Sequence, residues 1–594
     1  MAVETESPTE SQVVTTPARA GSVFYRSILE FFEDLPRDAR RFWLLVMVTG
    51  AAAGLAGAGF LYLLRLVQTI CWPSAGTYLA AIEAASPMRR VMVPTLAGLL
   101  ITALWLITRR KLSGHGTPGV IEAIWRKEGR LSLPRAVLRD ASSIVAVSMG
   151  AALGREGALI QTGAATGSWL AQRLQLSGAQ ARLLCACGAA AGIAAAYNVP
   201  IGGAVFGLEV LLGSFALELF GPIVISCVLG TMVSRLLIEN HPAYGVPHYT
   251  LMTWHDVGLM PVLGLALGVT SALYVRCLDI VSVLLDKVPG KFAYAMPPLV
   301  MGALGFAAIW FPQLLGNGYD AVDLALLGTM PLGLLLLLPA LKCLATAFCS
   351  SSGVPGGLFT PSMYVGALLG GGLGALVHLV WPGPTPLGAY ALVGMGCILA
   401  GTTHAAVSSV LIVFELTGDY EVILPLMVAC VIAAAVSRRL EPDSVYTAAL
   451  RRRQVRLPEH PRPEWLAHTS VSSLIDPRLE TVPPSLPFAQ VMLRLIAQDP
   501  GRDLYVAAPD GRYLGVIALD TLKGHLPYWS DLSMLVAADV LDASLKPVTP
   551  DLSLAALRSR YADTYVDKLP VVDPMTGRLL GTVSKSQLFQ SDFR

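Results

Sequence analysis

"MGAALGREGALIQTG", from Met149 to Gly163, carries two adjacent charges, Arg155 and Glu156, among residues that are otherwise apolar, small or glycine. No other charged residue occurs between residues 141 and 172. Irregular, glycine-rich backbone at membrane depth is tolerated where protein buries it or where a water-filled cavity touches it. An ionisable side chain in such a segment is a candidate functional residue.

Charged residues are scarce along most of the chain. Asp, Glu, Lys and Arg make up 14% of the 594 residues, against about a quarter in soluble proteins. None occurs from Cys343 to Phe414, and about 20 apolar residues are enough to cross a bilayer. We therefore predict an all-α polytopic membrane protein surrounded by the lipid bilayer. Further apolar runs that predict spans are Phe42–Leu64, Val91–Ile107, Val257–Val275, Phe292–Phe311, Leu324–Leu341 and Val422–Ser437.

Basic clusters flank the apolar region, "RDARRF" (Arg37–Phe42) before it and "RRRQVR" (Arg451–Arg456) after it. Cytoplasmic flanks are enriched in Lys and Arg, so both termini are predicted to be cytoplasmic and the number of crossings even. We expect a location in the plasma membrane or the cell inner membrane. The net charge of +2 gives no sign of a nucleic-acid partner, and the nine cysteines, mostly in apolar runs, are expected to be reduced.

Composition divides the chain into three regions. Residues 1–36 are predicted to be a disordered polar tail with a short amphipathic segment. Residues 37–453 form the predicted transmembrane domain, and residues 454–594 a cytoplasmic α+β region with short alternating strands.

A weak internal repeat lies within the transmembrane region. "GREGALIQTGAATG" (Gly154–Gly167) aligns with "GLFTPSMYVGALLG" (Gly357–Gly370), with three glycines in register. A second pair, Glu209 and Glu415, follows at nearly the same spacing. Transporters are often built from two such halves with the substrate site between them. Close helix packing alone would explain the later glycines, but not the charged pair.

Three glycine-rich breaks each precede a run that is compatible with a helix: "SGHGTPG" (Ser113–Gly119), "GREG" (Gly154–Gly157) and "SSSGVPGGLFTP" (Ser350–Pro361). A helix N-terminus offers unpaired N–H groups and a partial positive charge, so several that converge can hold an anion. Glu156 at such a start is either a gate that competes with the anion or a helix residue paired with Arg155.

The four elements "GHGTP" (Gly114–Pro118), "GREGA" (Gly154–Ala158), "GLFTP" (Gly357–Pro361) and Tyr446 in "SVYTAAL" occur in an order that resembles the CLC chloride channel/transporter family. The resemblance covers roughly residues 37–594. It implies inverted repeats, a homodimer with one chloride pathway per subunit, and Glu156 as the external gate. The residues that it places at the anion site are His115, Gly116, Arg155, Gly157, Leu358, Phe359 and Tyr446.

Some of these assignments have alternatives. Tyr446 could instead be an aromatic anchor at the membrane interface. His115 stands where the family usually has a serine, and its imidazole either donates to the anion or faces elsewhere. Ala158 replaces the usual proline of the gating motif, which should loosen the helix start.

Val210 occupies the position of the second, internal glutamate that family antiporters usually carry just after the residue matching Glu209. Valine cannot relay a proton. The resemblance therefore favours passive anion conduction, with a proton/chloride antiporter on the same fold as the alternative. Neither a phosphate-binding loop of the G-x-x-x-x-G-K-[ST] type nor an H-E-x-x-H zinc motif occurs, which disfavours a pump or a membrane enzyme.

The C-terminal region contains a second repeat, in which "LGVIALDTLKG" (Leu514–Gly524) and "LGTVSKSQLFQ" (Leu580–Gln590) lie 66 residues apart. It resembles a tandem pair of CBS (cystathionine-β-synthase-type) domains at about 470–527 and 536–592. Thr521 and Gln587 replace the usual ribose-binding Asp. We therefore expect no cofactor, with nucleotide binding as the less favoured alternative to a structural role.

Overall fold

The computed structural model divides into two compact units, residues 1–457 and 458–594. It describes residues 37–73, 76–108, 116–238, 244–245, 249, 254–381, 385–418, 421–455, 469–497, 503–518, 535–562, 566, 568–585 and 587. The predicted tail at residues 1–36 and His115 lie outside this set.

Helices are the main elements of the first unit, and non-helical segments connect them within its described residues. Its helices are α1 (Arg37–Cys71), α2 (Tyr78–Ala84), α3 (Pro87–Thr108), α4 (Gly116–Arg126), α5 (Leu133–Ser148), α6 (Glu156–Arg173), α7 (Gly178–Tyr197), α8 (Pro200–Phe206), α9 (Leu217–Leu237), α10 (Trp254–Asp286), α11 (Gly290–Ala293), α12 (Met296–Ala307), α13 (Tyr319–Leu326), α14 (Leu332–Ser351), α15 (Phe359–Val380), α16 (Leu387–Thr403), α17 (Ala406–Thr417), α18 (Ile423–Leu440) and α19 (Val445–Arg452). A π-helical turn, Gly207–Leu212, extends α8, and a 3₁₀ turn, Pro312–Leu314, follows α12. Within the described ranges, eight helical segments are long and apolar enough to cross a membrane.

Two of the predicted spans are wrong in their bounds. The main helix within the run Phe292–Phe311 is α12, which has only 12 residues. The run Leu324–Leu341 is interrupted, because Gly328 adopts the left-handed conformation after α13 and Pro331 precedes α14. Hydrophobicity alone did not reveal these breaks.

Glycine contacts bring the helices of each half together. A Cβ on Gly163 of α6 would overlap the carbonyl oxygen of Gly188 on α7, and the second half repeats this contact between Gly366 of α15 and Gly394 of α16. Small residues at such crossings let helix backbones approach closely in lipid.

Two glutamates link the halves reciprocally. Glu209 accepts hydrogen bonds from the backbone N–H groups of Val407 (3.4 Å) and Ser408 (2.7 Å) at the start of α17. Glu415, on α17, accepts from Ile201 (3.0 Å) and Gly202 (2.6 Å) at the start of α8. A carboxylate satisfies the unpaired N–H groups of a helix start. The exchange of identical roles is what a pseudo-twofold relation between the two halves produces.

The second unit combines short strands and helices. The strands are β1 (Thr481–Val482), β2 (Leu504–Ala507), β3 (Tyr513–Ile517), β4 (Lys568–Val572) and β5 (Leu579–Ser584), and the helices are α20 (Phe488–Ala497), α21 (Ala537–Val540) and α22 (Leu554–Ala562). β1 pairs parallel with β2, β2 pairs antiparallel with β3, and β4 pairs antiparallel with β5.

The 66-residue spacing of this unit reappears in its backbone contacts. Val516 exchanges N–H···O bonds with Asp542 (3.1 and 2.7 Å), and Asp476 exchanges them with Thr582 (2.8 and 2.9 Å). Thr582 lies 66 residues after Val516, and Asp542 lies 66 after Asp476. The two copies therefore contact each other through equivalent positions.

Candidate functional site: a buried carboxylate at converging helix starts

The starts of the two repeats are hydrogen-bonded to each other. The Gly154 N–H donates to the Gly357 carbonyl (2.8 Å), and the Gly357 N–H donates to the Gly154 carbonyl (2.6 Å). Two residues beyond this bridge, α6 begins at Glu156 and α15 begins at Phe359. The alignment of the two motifs in the sequence thus corresponds to physical contact, and two helix N-termini meet at one point.

Glu156 is fully buried beside this bridge. Its Oε1 accepts a short hydrogen bond from the Thr360 hydroxyl, which also bonds the Tyr197 hydroxyl at 2.7 Å. Its Oε2 points towards the bridge glycines and has no hydrogen-bond partner among the described protein groups. A buried carboxylate oxygen without a hydrogen-bond donor costs free energy, and this cost favours displacement of the carboxylate from its place.

An aromatic cluster surrounds the start of α15. The Phe359 ring lies 5.3 Å from Tyr197 and 6.2 Å from Phe206, measured between ring centroids. Phe206 also contacts Tyr446 edge-to-face at 6.4 Å. Phe359 and Tyr446 thus reach the same aromatic neighbour, and both are buried.

A third helix start joins the site. α4 begins at Gly116, and a Cβ there would overlap the carbonyl oxygen of Gly157. Gly157 in turn approaches Gly357. Glycine is required at this crossing because any side chain would separate the starts of α4, α6 and α15. Leu358, the residue before α15, is also buried.

Arg155 faces away from the carboxylate that follows it. Its guanidinium lies 4.9 Å above the Tyr319 ring and donates to the Ala196 carbonyl at 3.3 Å. It forms no ion pair with Glu156, so the interpretation of a helix residue paired with Arg155 is wrong. Arg155 instead lines a cavity of about 440 Å³ that Arg65 and Arg235 also line.

Two further cavities lie close to Leu358 and Tyr446. The first, of about 200 Å³, is lined by Leu358, Ser350, Arg452 and Arg453. The second, of about 310 Å³, is lined by Tyr446, Val210, Glu209, His404 and Arg438. Arginine side chains therefore stand at all three cavities around the site.

Sequence reasoning missed Tyr197, Phe206 and Thr360 as individual site residues. Thr360 lies inside the quoted motif "GLFTP", and the other two lie inside "AAAYNVPIGGAVFGLEV". Thr360 contacts Glu156, and Tyr197 and Phe206 contact Phe359, and in each case the partner lies more than 150 residues away along the chain. Within the described ranges no group of three or more His, Cys, Asp or Glu side chains is arranged to hold a metal ion.

Comparison with known proteins agrees with this fold. The family described as voltage gated chloride channel matches residues 97–438. A ClcB-like protein of Ralstonia nicotianae is 36% identical over 426 residues, covering 69% of this chain and 97% of the relative. The voltage-gated ClC-type chloride channel ClcB of Escherichia coli is 33% identical over 417 residues, covering 68% of this chain and 97% of the relative.

Solved structures share the architecture. A slow cyanobacterial Cl⁻/H⁺ antiporter superposes with a TM-score of 0.64 at 24% identity, covering 70% of this chain and 98% of the other. A eukaryotic CLC transporter superposes with a TM-score of 0.61 at 19% identity, covering 92% of this chain and 98% of the other. At these identities the likeness concerns the fold.

The chain belongs to the CLC family. It is a multi-pass membrane protein for ion transport and not an enzyme.

Proposed function

We propose that the chain is a chloride channel that conducts passively, with Glu156 as its gate. The observation that carries this proposal is the buried Glu156 carboxylate at the bridge where α6 and α15 begin, which accepts from the Thr360 hydroxyl and forms no salt bridge with a described side chain. A carboxylate in that position is a covalently attached anion. A permeant chloride competes with it for the place beside the starts of α6 and α15, and protonation removes its charge.

The site binds chloride weakly enough to release it. Helix N-termini and hydroxyl groups supply partial positive charge, whereas a buried formal cation would hold the ion more tightly. We assign the pore lining to Gly116, Gly157, Leu358, Phe359 and Tyr446. His115, adjacent to α4 in the sequence, belongs to the same proposal.

Arginine side chains at the surrounding cavities support a route for chloride to and from the site. Arg155, Arg65 and Arg235 line the cavity of about 440 Å³, and we assign that cavity to the outer entrance. Arg452 and Arg453 line the cavity that reaches Leu358, which we assign to the inner entrance. Cations at pore mouths raise the local concentration of chloride and thereby its entry rate.

Val210 supports conduction without proton coupling. In the cavity where it lies, Glu209 is fully engaged in capping α17. Its carboxylate oxygens already accept hydrogen bonds from the N–H groups of Val407 and Ser408, and the neighbouring Val210 has no group that could carry a proton.

Liposome flux tests the proposal. Vesicles containing the protein and a chloride gradient should show chloride efflux without proton movement against its own gradient. Uphill proton transport driven by the chloride gradient would overturn passive conduction. The second candidate function, proton/chloride antiport, is favoured by His404, which lines the Val210 cavity and whose buried Nε2 has no partner among the described groups.

We further propose that the second unit is a CBS pair that supports a homodimer, with both termini cytoplasmic. The 66-residue repeat and its reciprocal backbone contacts support a tandem pair. The fold likeness to the eukaryotic CLC transporter covers 92% of the chain and so extends beyond residue 457. Gln587 bonds the Ser584 backbone N–H (2.9 Å), which occupies its side chain locally and disfavours a nucleotide role. Thr521 lies outside the described residues.

A further inference from the structure

Lys342 is a charged residue in the middle of the apolar helix α14, and its side chain is completely buried. Its Nζ donates to two backbone carbonyls, Leu314 (2.9 Å) and Gly316 (2.7 Å), and lies 4.9 Å from the centre of the Tyr364 ring. Burying a lysine in a membrane protein is expensive, so its retention calls for a specific role. The described anion site does not include it.

The segment that Lys342 holds, residues 312–319, forms part of the wall of the cavity of about 440 Å³ that we assign to the outer entrance. Gln313, Leu315, Asn317 and Tyr319 of this stretch all line that cavity. Tyr319 carries the guanidinium of Arg155 on its ring. By binding these two carbonyls, Lys342 therefore holds the backbone that forms the cavity wall beside Arg155.

The same face of α14 also contacts the backbone at Ala152, a few residues before Glu156. Thr346, one helical turn after Lys342, donates its hydroxyl to the Ala152 carbonyl (2.9 Å) and is fully buried. The Gly316 N–H donates to the Gly150 carbonyl (3.0 Å), which links the two held segments. Residues three or four apart lie on one side of a helix, so α14 presents both donors together.

We infer that Lys342 and Thr346 are positioning residues that brace the non-helical approach to the gate. Their donors fix residues 149–155 and 312–319, and so set where the Glu156 carboxylate sits relative to the start of α15. The inference rests on the proposed gating role of Glu156. It assigns to α14 a function in gating through backbone carbonyls, without contact with the anion.

The test is a set of flux measurements in liposomes at pH 5 and pH 7.5. Thr346→Val keeps the side-chain shape and removes the hydroxyl donor. Lys342→Met removes both hydrogen bonds that the lysine donates. The matched control is Ser226→Ala, because Ser226 is a buried hydroxyl that donates to the Cys187 carbonyl (3.1 Å) between α9 and α7.

Each brace variant should change the ratio of the fluxes at the two pH values roughly two- to tenfold, the effect of losing one or two hydrogen bonds. Ser226→Ala should leave the ratio unchanged. In the Glu156→Gln background the brace variants should have no further effect on the ratio, because the gate is already absent.

Failures of the two proposals are distinguishable. If Glu156→Gln alone leaves the pH ratio intact, the gate is wrong. If Glu156→Gln abolishes the pH dependence but Thr346→Val leaves the ratio at the wild-type value, or changes it equally in both backgrounds, the brace is wrong. Should Lys342→Met fail to fold, Lys342→Arg and Thr346→Val decide the question, since a retained donor should restore the wild-type ratio.

Discussion

Replacement of Thr360 by valine should open the gate at neutral pH. Thr360 is completely buried, and its hydroxyl donates to Oε1 of Glu156. Valine has nearly the same shape but no donor, so the substitution removes this bond with little change in packing. The closed state, in which the Glu156 carboxylate occupies its seat, should therefore lose stability relative to the state in which an anion displaces it.

The magnitude follows from the type of bond. A hydrogen bond to a charged acceptor contributes roughly 1.5–3 kcal/mol, which corresponds to roughly a ten- to hundredfold change in the ratio of closed to open states. The lower end applies if the Tyr197 hydroxyl, 2.7 Å from the Thr360 oxygen, takes over as donor. We expect chloride efflux at pH 7.5 to rise by up to this factor.

The assay is chloride efflux from liposomes at pH 7.5, with equal amounts of purified wild type and variant. Thr402→Val serves as the matched control, since Thr402 is equally buried and bonds the Ile398 carbonyl of its own helix (2.7 Å). An efflux rate for Thr360→Val equal to that of the wild type, or an equal increase for Thr402→Val, would refute the reasoning.

Other substitutions address the gate and its scaffold. Glu156→Gln, which removes the charge, should abolish pH-dependent flux and leave the pathway permissive; a wild-type pH profile in liposome flux would contradict this. Gly357→Ala should lower flux, because its Cβ would come within 2.9 Å of the Gly157 nitrogen and push the two helix starts apart, and unchanged flux would show that the bridge yields freely. Glu209→Gln and Glu415→Gln should each lower the melting temperature by several degrees, since each leaves N–H donors at a helix start facing an amide. Thermal unfolding in detergent checks this, and coupled proton flux appearing or vanishing in either variant would argue against a purely structural role.

The sequence predicted the two repeats and a substrate site between the two halves. Gly154 and Gly357 could be aligned because both motifs are short, glycine-rich and followed by a helix-compatible run. Residues at equivalent positions of a twofold-related pair meet only where both lie close to the axis, and the structure joins these two by reciprocal hydrogen bonds. The 66-residue repeat of the second unit behaves in the same way.

Side-chain direction was beyond sequence reasoning. Arg155 and Glu156 are neighbours in the chain, but successive residues at a helix start point about 100° apart. Arg155 therefore faces the cavity of about 440 Å³, while Glu156 faces α15. Which side chain turned inward depended on the partners Tyr319 and Thr360, which lie more than 160 residues away.

Some features had no local signal at all. Lys342 appears in the sequence as the end of an apolar run, and its carbonyl partners belong to a turn 26 and 28 residues earlier. The mutual capping by Glu209 and Glu415 requires two helix starts from opposite halves. Long-range pairing of this kind follows from the fold and not from the nearby sequence pattern.

Chloride binding to the purified protein tests the central claim most directly. If the Glu156 carboxylate and chloride compete for the same helix starts, titration calorimetry at pH 7.5 should show tighter chloride binding to Glu156→Gln than to the wild type. Acidification should strengthen chloride binding to the wild type but not to the variant. Equal affinities at both pH values would mean that the carboxylate and the anion do not share a site, and the account of the gate would fail.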